Sequence, residues 1–208
     1  MDGTLVDTEP YWMSAETALV ASYGGTWTAE EAVAVVGQGL EYSAQMLQAK
    51  GVELSEEEII VGLTQHVLGK VKELVPWQPG ARELLLALRK ADVPTALVTM
   101  SRRPLAEYVA ECTGGLFDVI VSGDDVENSK PDPESYLQAA TLLGVDPGRC
   151  IAIEDSRPGV ASAVSAGAVT IGVPHVAPLD ASPAYTLWDT LQGKTIADLS
   201  ALLAERVA

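Results

Sequence analysis

Two hydrophobic rhythms divide the chain. Across residues 79–174, short apolar bursts alternate with longer amphipathic stretches. Pro79-Gly80 precedes Ala81, Leu84, Leu85 and Leu88, whose spacing puts them on one helical face. Pro94 leads into Thr95-Ala96-Leu97-Val98, which predicts a short strand, a second helix follows Pro104, and Val119-Ile120-Val121 predicts the next strand. Asp132-Pro133 predicts a helix start, an N-cap followed by proline at the first position. Gly144 ends that helix, at a position where a positive φ costs glycine least. Cys150 to Ile153 predicts a strand, Pro158 to Ala166 a helix closed by Gly167, and Val169 to Gly172 another strand.

This alternation predicts an α/β fold, a Rossmann-like parallel sheet with helices on both faces. Sites in such sheets lie at the carboxyl ends of the strands. Residues 12–76 follow the other rhythm, helical throughout. Thr28-x-x-Glu31 and Ser55-x-x-Glu58 are capping boxes that each open a helical run, and Gly37 and Gly51 punctuate helix ends. The expected organisation is an α/β core from residues 1–11 and 78–208, with an all-helical block inserted at 12–77 and hinges near Pro10–Trp12 and Leu74–Pro79.

Composition narrows the classes. With 208 residues, 48% hydrophobic content and a mean hydropathy of +0.17, the chain suits a globular protein with a sizeable core. No stretch approaches the ~20 apolar residues of a membrane helix, and no signal peptide precedes the first motif. Cys112 and Cys150 form no disulfide framework, and with these features they point to a cytoplasmic protein with reduced thiols. The formal charge of −16 repels nucleic acid and anionic membranes, so neither is an expected partner. It also repels phosphorylated small molecules. A protein this acidic must concentrate positive charge and backbone N–H groups locally in order to bind phosphate.

The chemistry-bearing residues occur in four places. The first is Met1-Asp2-Gly3-Thr4-Leu5-Val6-Asp7-Thr8-Glu9-Pro10, where Gly3 allows a tight turn beside a carboxylate. The others are Thr99 after the strand 96–98, Lys130 in Ser129-Lys130-Pro131-Asp132-Pro133, and Glu154-Asp155-Ser156 after the strand 150–153. Adjacent acids at the end of a buried strand are costly unless a cation or donors compensate them.

In that order and spacing these segments resemble the four motifs of the haloacid dehalogenase superfamily, in its helical-cap class. The likeness is greatest to the branch of β-phosphoglucomutase and the sugar-phosphate phosphatases. The first motif of that family reads Asp-x-Asp-Gly-Thr, which puts its nucleophilic aspartate immediately before Met1. The resemblance implies that the complete protein begins upstream, with an apolar strand that carries this aspartate. It assigns Asp2 as general acid/base, Thr99 and the N–H of Met100 as phosphoryl donors, and Lys130 as charge stabiliser. Mg²⁺ would be held by Asp155, by Glu154 through metal-bound waters, and by the carbonyl of Asp2.

The expected function is a Mg²⁺-dependent phosphatase that acts on a small phosphorylated metabolite through an aspartyl-phosphate. A phosphomutase is the alternative, but the mutase's linker His and cap Arg align with Trp12 and Leu40 here. A non-catalytic binding protein is the reading if the native chain starts at Met1. Arg102 and Arg103 are secondary candidates to meet a substrate anion, Asp124 and Asp125 to line the site, and Trp12 to touch substrate. His66 and His175 are isolated. Substrate and oligomeric state are left open by the sequence.

Overall fold

The computed structural model describes residues 1–207. Four helices come first: α1 (Glu9–Ser22), α2 (Ala29–Val35), α3 (Leu40–Ala49) and α4 (Glu56–Glu73). Both capping boxes form. Thr28 Oγ1 accepts from the Glu31 N–H at 3.3 Å while Glu31 returns a bond to the Thr28 N–H at 2.9 Å, and Ser55 and Glu58 repeat the arrangement. Ile59, Ile60, Leu63, Val67 and Val71 bury one face of α4 against α1 and α3. At ~1.5–3 kcal/mol for each fully buried side chain of this kind, that face holds the block together. Helix α1 begins at Glu9, ahead of residue 12, because Pro10 fits the first turn of a helix.

The remaining chain alternates: α5 (Ala81–Lys90), β1 (Ala96–Val98), α6 (Arg103–Cys112), β2 (Val119–Val121), α7 (Glu134–Leu143), β3 (Ile151–Glu154), α8 (Arg157–Ser165), β4 (Val169–Gly172), β5 (Thr186–Leu187) and α9 (Ile196–Val207). All strand pairing is parallel. β1 pairs with β2, with Leu97 opposite Ile120, and β3 pairs with β4, with Ile153 opposite Ile171. β5 continues from β4.

The expected N-cap at Asp132 shifts by one residue. Pro133 occupies the cap position, and Asp132 Oδ1 accepts from the Glu134 N–H at 2.9 Å. An Asx turn reaches two residues on rather than three, so the helical ladder starts later. β5 and α9 lie beyond the last element expected from the sequence. β5 is two residues long, too short to show a period, whereas α9 opens with Thr195 and Asp198 capping each other.

The sheet falls into two parts, β1–β2 and β3–β4–β5. β1 and β3 therefore each keep one unpaired edge, and both line a cavity of about 640 Å³. Its walls are apolar: Leu84 and Leu85 of α5, Ala139 and Ala140 of α7, and Leu199 of α9.

The two crossings between the helical block and the core lie side by side. Val6 bridges Trp77 antiparallel, the Asp7 N–H donates to Pro76 O at 2.7 Å, and the Gln78 N–H donates to Leu5 O at 2.9 Å. Among the described residues no helix is long and apolar enough to cross a membrane.

Candidate active site

The site forms where four loops meet beneath the helical block. The first loop is a tight turn in which Met1 O accepts from the N–H groups of Leu5 and Val6 at 2.8 and 3.2 Å. Gly3 turns it at φ +72°, and a β-carbon there would fall on the Asp155 carboxylate. Only glycine allows so close an approach. Thr99 extends β1, its N–H donating to Val121 O at 2.9 Å. Lys130 is buried in the long loop between β2 and α7. Glu154 ends β3, and Ser156 caps α8 by accepting from the Gly159 N–H at 3.2 Å. Gly159 sits against Glu154, where a side chain would collide with the carboxylate.

Asp2 is held by four donors. Thr8 Oγ1 at 2.5 Å and Trp12 Nε1 at 3.2 Å reach Oδ1, while Ser101 Oγ at 2.7 Å and Thr99 Oγ1 at 3.3 Å reach Oδ2. The carboxylate has little freedom to swing, so it is aimed before any ligand arrives. Lys130 Nζ lies 2.5 Å from Glu154 Oε1 and 4.9 Å from the centroid of the Tyr136 ring, and the Tyr136 hydroxyl donates to the same Glu154 oxygen. Burial works to raise the Glu154 pKa, but the Lys130 ammonium, the amino group of Met1 and the Tyr136 hydroxyl together hold the group below its usual range. Burial pushes the Tyr136 hydroxyl well above its ordinary value, and the Glu154 charge adds to the effect. Asp155 accepts from Thr4 Oγ1 at 2.7 Å. Burial, with the neighbouring Glu154 charge, pushes it up to about 6.

These residues surround a narrow pocket of about 80 Å³. Asp2, Thr99, Met100, Lys130, Glu154 and Asp155 line its core side, so the structure brings together every site residue expected from the sequence. The N–H of Met100 has no acceptor among the described residues and is free to donate. The opposite wall comes from the helical block and includes Trp12, Glu16, Leu40 and, in the loop between α2 and α3, Gln38. The loop between α2 and α3 rests on the core, with Gly37 against Ser156 and Gly39 against Ser129.

Asp155 fits a hard cation. It is a buried carboxylate with a single hydroxyl partner beside a second acid, and burial without a cation already raises its pKa. No three acidic, imidazole or thiol side chains cluster around one point among the described residues. Mg²⁺ suits such a sparse all-oxygen set, since it binds through one or two carboxylates and fills its shell with water and phosphate oxygens.

Trp12 lines the pocket, and the other secondary candidates lie elsewhere. Arg102 pairs with Asp124 at 2.7 Å, Glu57 at 3.1 Å and Glu41 at 3.2 Å, so it joins the core to α3 and α4 and does not face the pocket. Arg103 pairs with Asp125 and Glu107, which removes Asp125 from the site as well. His175 contacts Asp7 at 2.8 Å, and His66 is exposed on α4. Thr4, Thr8, Ser101 and Tyr136 are site residues that the sequence did not single out. The alternation of hydroxyls in Thr99-Met100-Ser101 at a strand end was the one signal for Ser101. Tyr136 carried none, because only the tertiary packing of α7 brings it to Glu154.

The family model for haloacid dehalogenase-like hydrolases matches residues 1–167. A phosphorylated carbohydrates phosphatase of Thermotoga maritima is 35% identical over 182 residues, covering 84% of this chain and 83% of its own. Hexitol phosphatase A of Escherichia coli is 33% identical, with 83% and 80% covered. The crystal structure of CbbY from Rhodobacter sphaeroides in complex with phosphate superposes with a TM-score of 0.85 over 96% of both chains, at 27% identity. With its motif residues gathered at the carboxyl ends of a parallel sheet, the chain belongs to the haloacid dehalogenase-like hydrolases.

Proposed function

We propose that this protein is a Mg²⁺-dependent phosphatase for a small phosphorylated carbohydrate. The observation that carries the reading is the convergence of Asp2, Thr99, Lys130, Glu154 and Asp155 on one pocket. The names of the two relatives support the substrate class. The nucleophile in this reading is an aspartate immediately before Met1, on a strand that occupies the apolar cavity between β1 and β3. Physical grounds favour such a strand. Backbone groups along the free edges of β1 and β3 cost ~1–3 kcal/mol each when buried without partners, and over several such groups this rivals a domain's whole net stability of ~5–15 kcal/mol. An added strand would fill the space and pair both free edges.

The carboxylate attacks phosphorus, a P–O bond to the aspartate forms, and the P–O bond to the substrate alcohol breaks. Asp2 gives its proton to the leaving alkoxide. Water then attacks the same phosphorus while Asp2 takes its proton, which releases inorganic phosphate and restores the aspartate. Thr99 Oγ1 and the Met100 N–H hold phosphoryl oxygens, and Lys130 neutralises the charge that builds in the transition state. Held by Asp155 and the Asp2 carbonyl, with Glu154 acting through metal-bound waters, Mg²⁺ would supply further positive charge to the phosphoryl group. The helices of residues 12–77 act as a cap over the core of residues 1–11 and 78–208, excluding bulk water. Trp12 and Leu40, at the positions where a mutase has His and Arg, favour hydrolysis over phosphoryl return.

The test is the N-terminal peptide mass of the native protein, followed by phosphate release from p-nitrophenyl phosphate with Mg²⁺. An apolar run ending in aspartate, together with turnover, supports the reading. A native start at Met1 with no turnover overturns it.

A further inference from the structure

We propose that Glu16 selects the substrate: its carboxylate accepts hydrogen bonds from hydroxyls at the far end of a polyol or sugar monophosphate, and its charge rejects ligands with a second anionic group. The inference rests on the phosphatase reading above and deepens it.

Glu16 projects from α1 into the pocket and is only 4% exposed. Trp27 Nε1 donates to its Oε2 at 3.1 Å, and Oε1 has no partner among the described residues. One oxygen is thus fixed by the helical block while the other is open to a ligand. No cation accompanies it, and burial alone pushes its pKa up to about 7. A group that served only for packing would avoid this cost by being apolar. Substrate hydroxyls supply the donors that the protein withholds.

The charges around the pocket exclude a second anion. Among the described residues lining it, Lys130 is the sole basic side chain, and it is already paired with Glu154 beside the expected phosphoryl position. The basic residues of the helical block point elsewhere: Lys50 pairs with Glu31, Lys70 with Glu73, and Lys72 lies over the ring of Tyr108. Arg102 is bracketed by three carboxylates outside the pocket. A carboxylate or second phosphate at the far end would meet Glu16 with nothing to neutralise it.

The experiment is calorimetric binding to the protein with its native N-terminus, without Mg²⁺ so that turnover does not intervene, at pH 8, above the Glu16 value of about 7. The probes are sorbitol 6-phosphate, 2-phosphoglycolate and fructose 1,6-bisphosphate. Sorbitol 6-phosphate is expected to bind at least about tenfold more tightly than the other two, and Glu16→Gln to narrow that gap by about tenfold, the worth of a charge-assisted hydrogen bond. Glutamine keeps the shape and can still accept from Trp27. Equal binding of the three probes by the unsubstituted chain overturns the proposal. So does an unchanged gap in Glu16→Gln, or a uniform loss for all three, which marks a structural role. Turnover of p-nitrophenyl phosphate by the protein with its native N-terminus reports on the phosphatase reading separately. That reading can fail while the binding series still decides the role of Glu16.

Discussion

Met1 borders two spaces of opposite character. On one side is the narrow pocket, whose lining includes five acidic residues: Asp2, Glu9, Glu16, Glu154 and Asp155. On the other is the wide cavity walled by Leu84, Leu85, Leu97 and Leu199. The pocket is held open by hydrogen bonds and charge, each worth little alone but set in a fixed geometry. The cavity has no such framework, so its walls gain stability only when apolar atoms touch them. The chemistry therefore depends on a few aimed groups, and the fold depends on filling volume.

The sharpest way to break this contrast is to act at Met1 itself. Extending the chain upstream by an apolar strand that ends in aspartate is expected to raise p-nitrophenyl phosphate turnover from negligible to readily measurable, on the order of 10⁴-fold or more. The same extension should raise the denaturation midpoint. An extension ending in asparagine should give the stability without the turnover, which separates filling from chemistry. Robust turnover by the unextended chain would defeat the nucleophile assignment.

Next in size is Lys130→Met. Removing one partner of a buried ion pair is expected to cost about 3–5 kcal/mol, because Glu154 is left charged in a dry site. Chemical denaturation measures that loss, and kcat is expected to fall by about 10²–10³. A stable variant with unchanged kcat would remove Lys130 from the mechanism.

Glu16→Gln tests the pocket through pH. The folded-state pKa of about 7 lies above the ordinary 4.5, so folding takes up a proton between those values. Glu16 therefore costs nothing below about pH 4.5, and its penalty grows until the pH passes 7. Glutamine should leave stability at pH 4 unchanged and raise it at pH 8 by up to about 3 kcal/mol. Thermal unfolding at the two pH values checks this, and an equal change at both would contradict a buried, uncompensated carboxylate.

The smallest effect is expected from Arg102→Ala. Its partners are exposed, so the three contacts together should contribute no more than about 1 kcal/mol, less at high salt. Hydrogen exchange in α3 and α4 should quicken slightly, with exchange in β3 unaltered.

The two spaces also differed in how well the sequence announced them. Asp2, Thr99, Lys130, Glu154 and Asp155 were legible because each sits in a short segment of recognisable residues, and the segments follow one another in a fixed order. Thr28 and Ser55 were equally plain, since a capping box is decided within four residues. Glu16 was invisible: eleven residues separate it from Trp27, and only the packing of the helices makes it a buried acid. Arg102 misled for the opposite reason. A basic residue just after Thr99 suggested an anion contact, but Glu41, Glu57 and Asp124 arrive from distant positions to claim it. The wide cavity could not be read from composition either, because a sum of apolar residues does not show where they fail to meet.

The paired crossings at Val6–Trp77 and Asp7–Pro76 have a consequence for engineering. A helical block whose entrance and exit are stitched together is attached to the core as if by a single stem. Replacing it as a unit would leave Thr8, Thr99 and Ser101 as donors to Asp2 and remove only Trp12. An engineered exchange at that stem would therefore renew the far wall of the pocket while the turn of Met1 to Val6 and the end of β3 keep their own bonds.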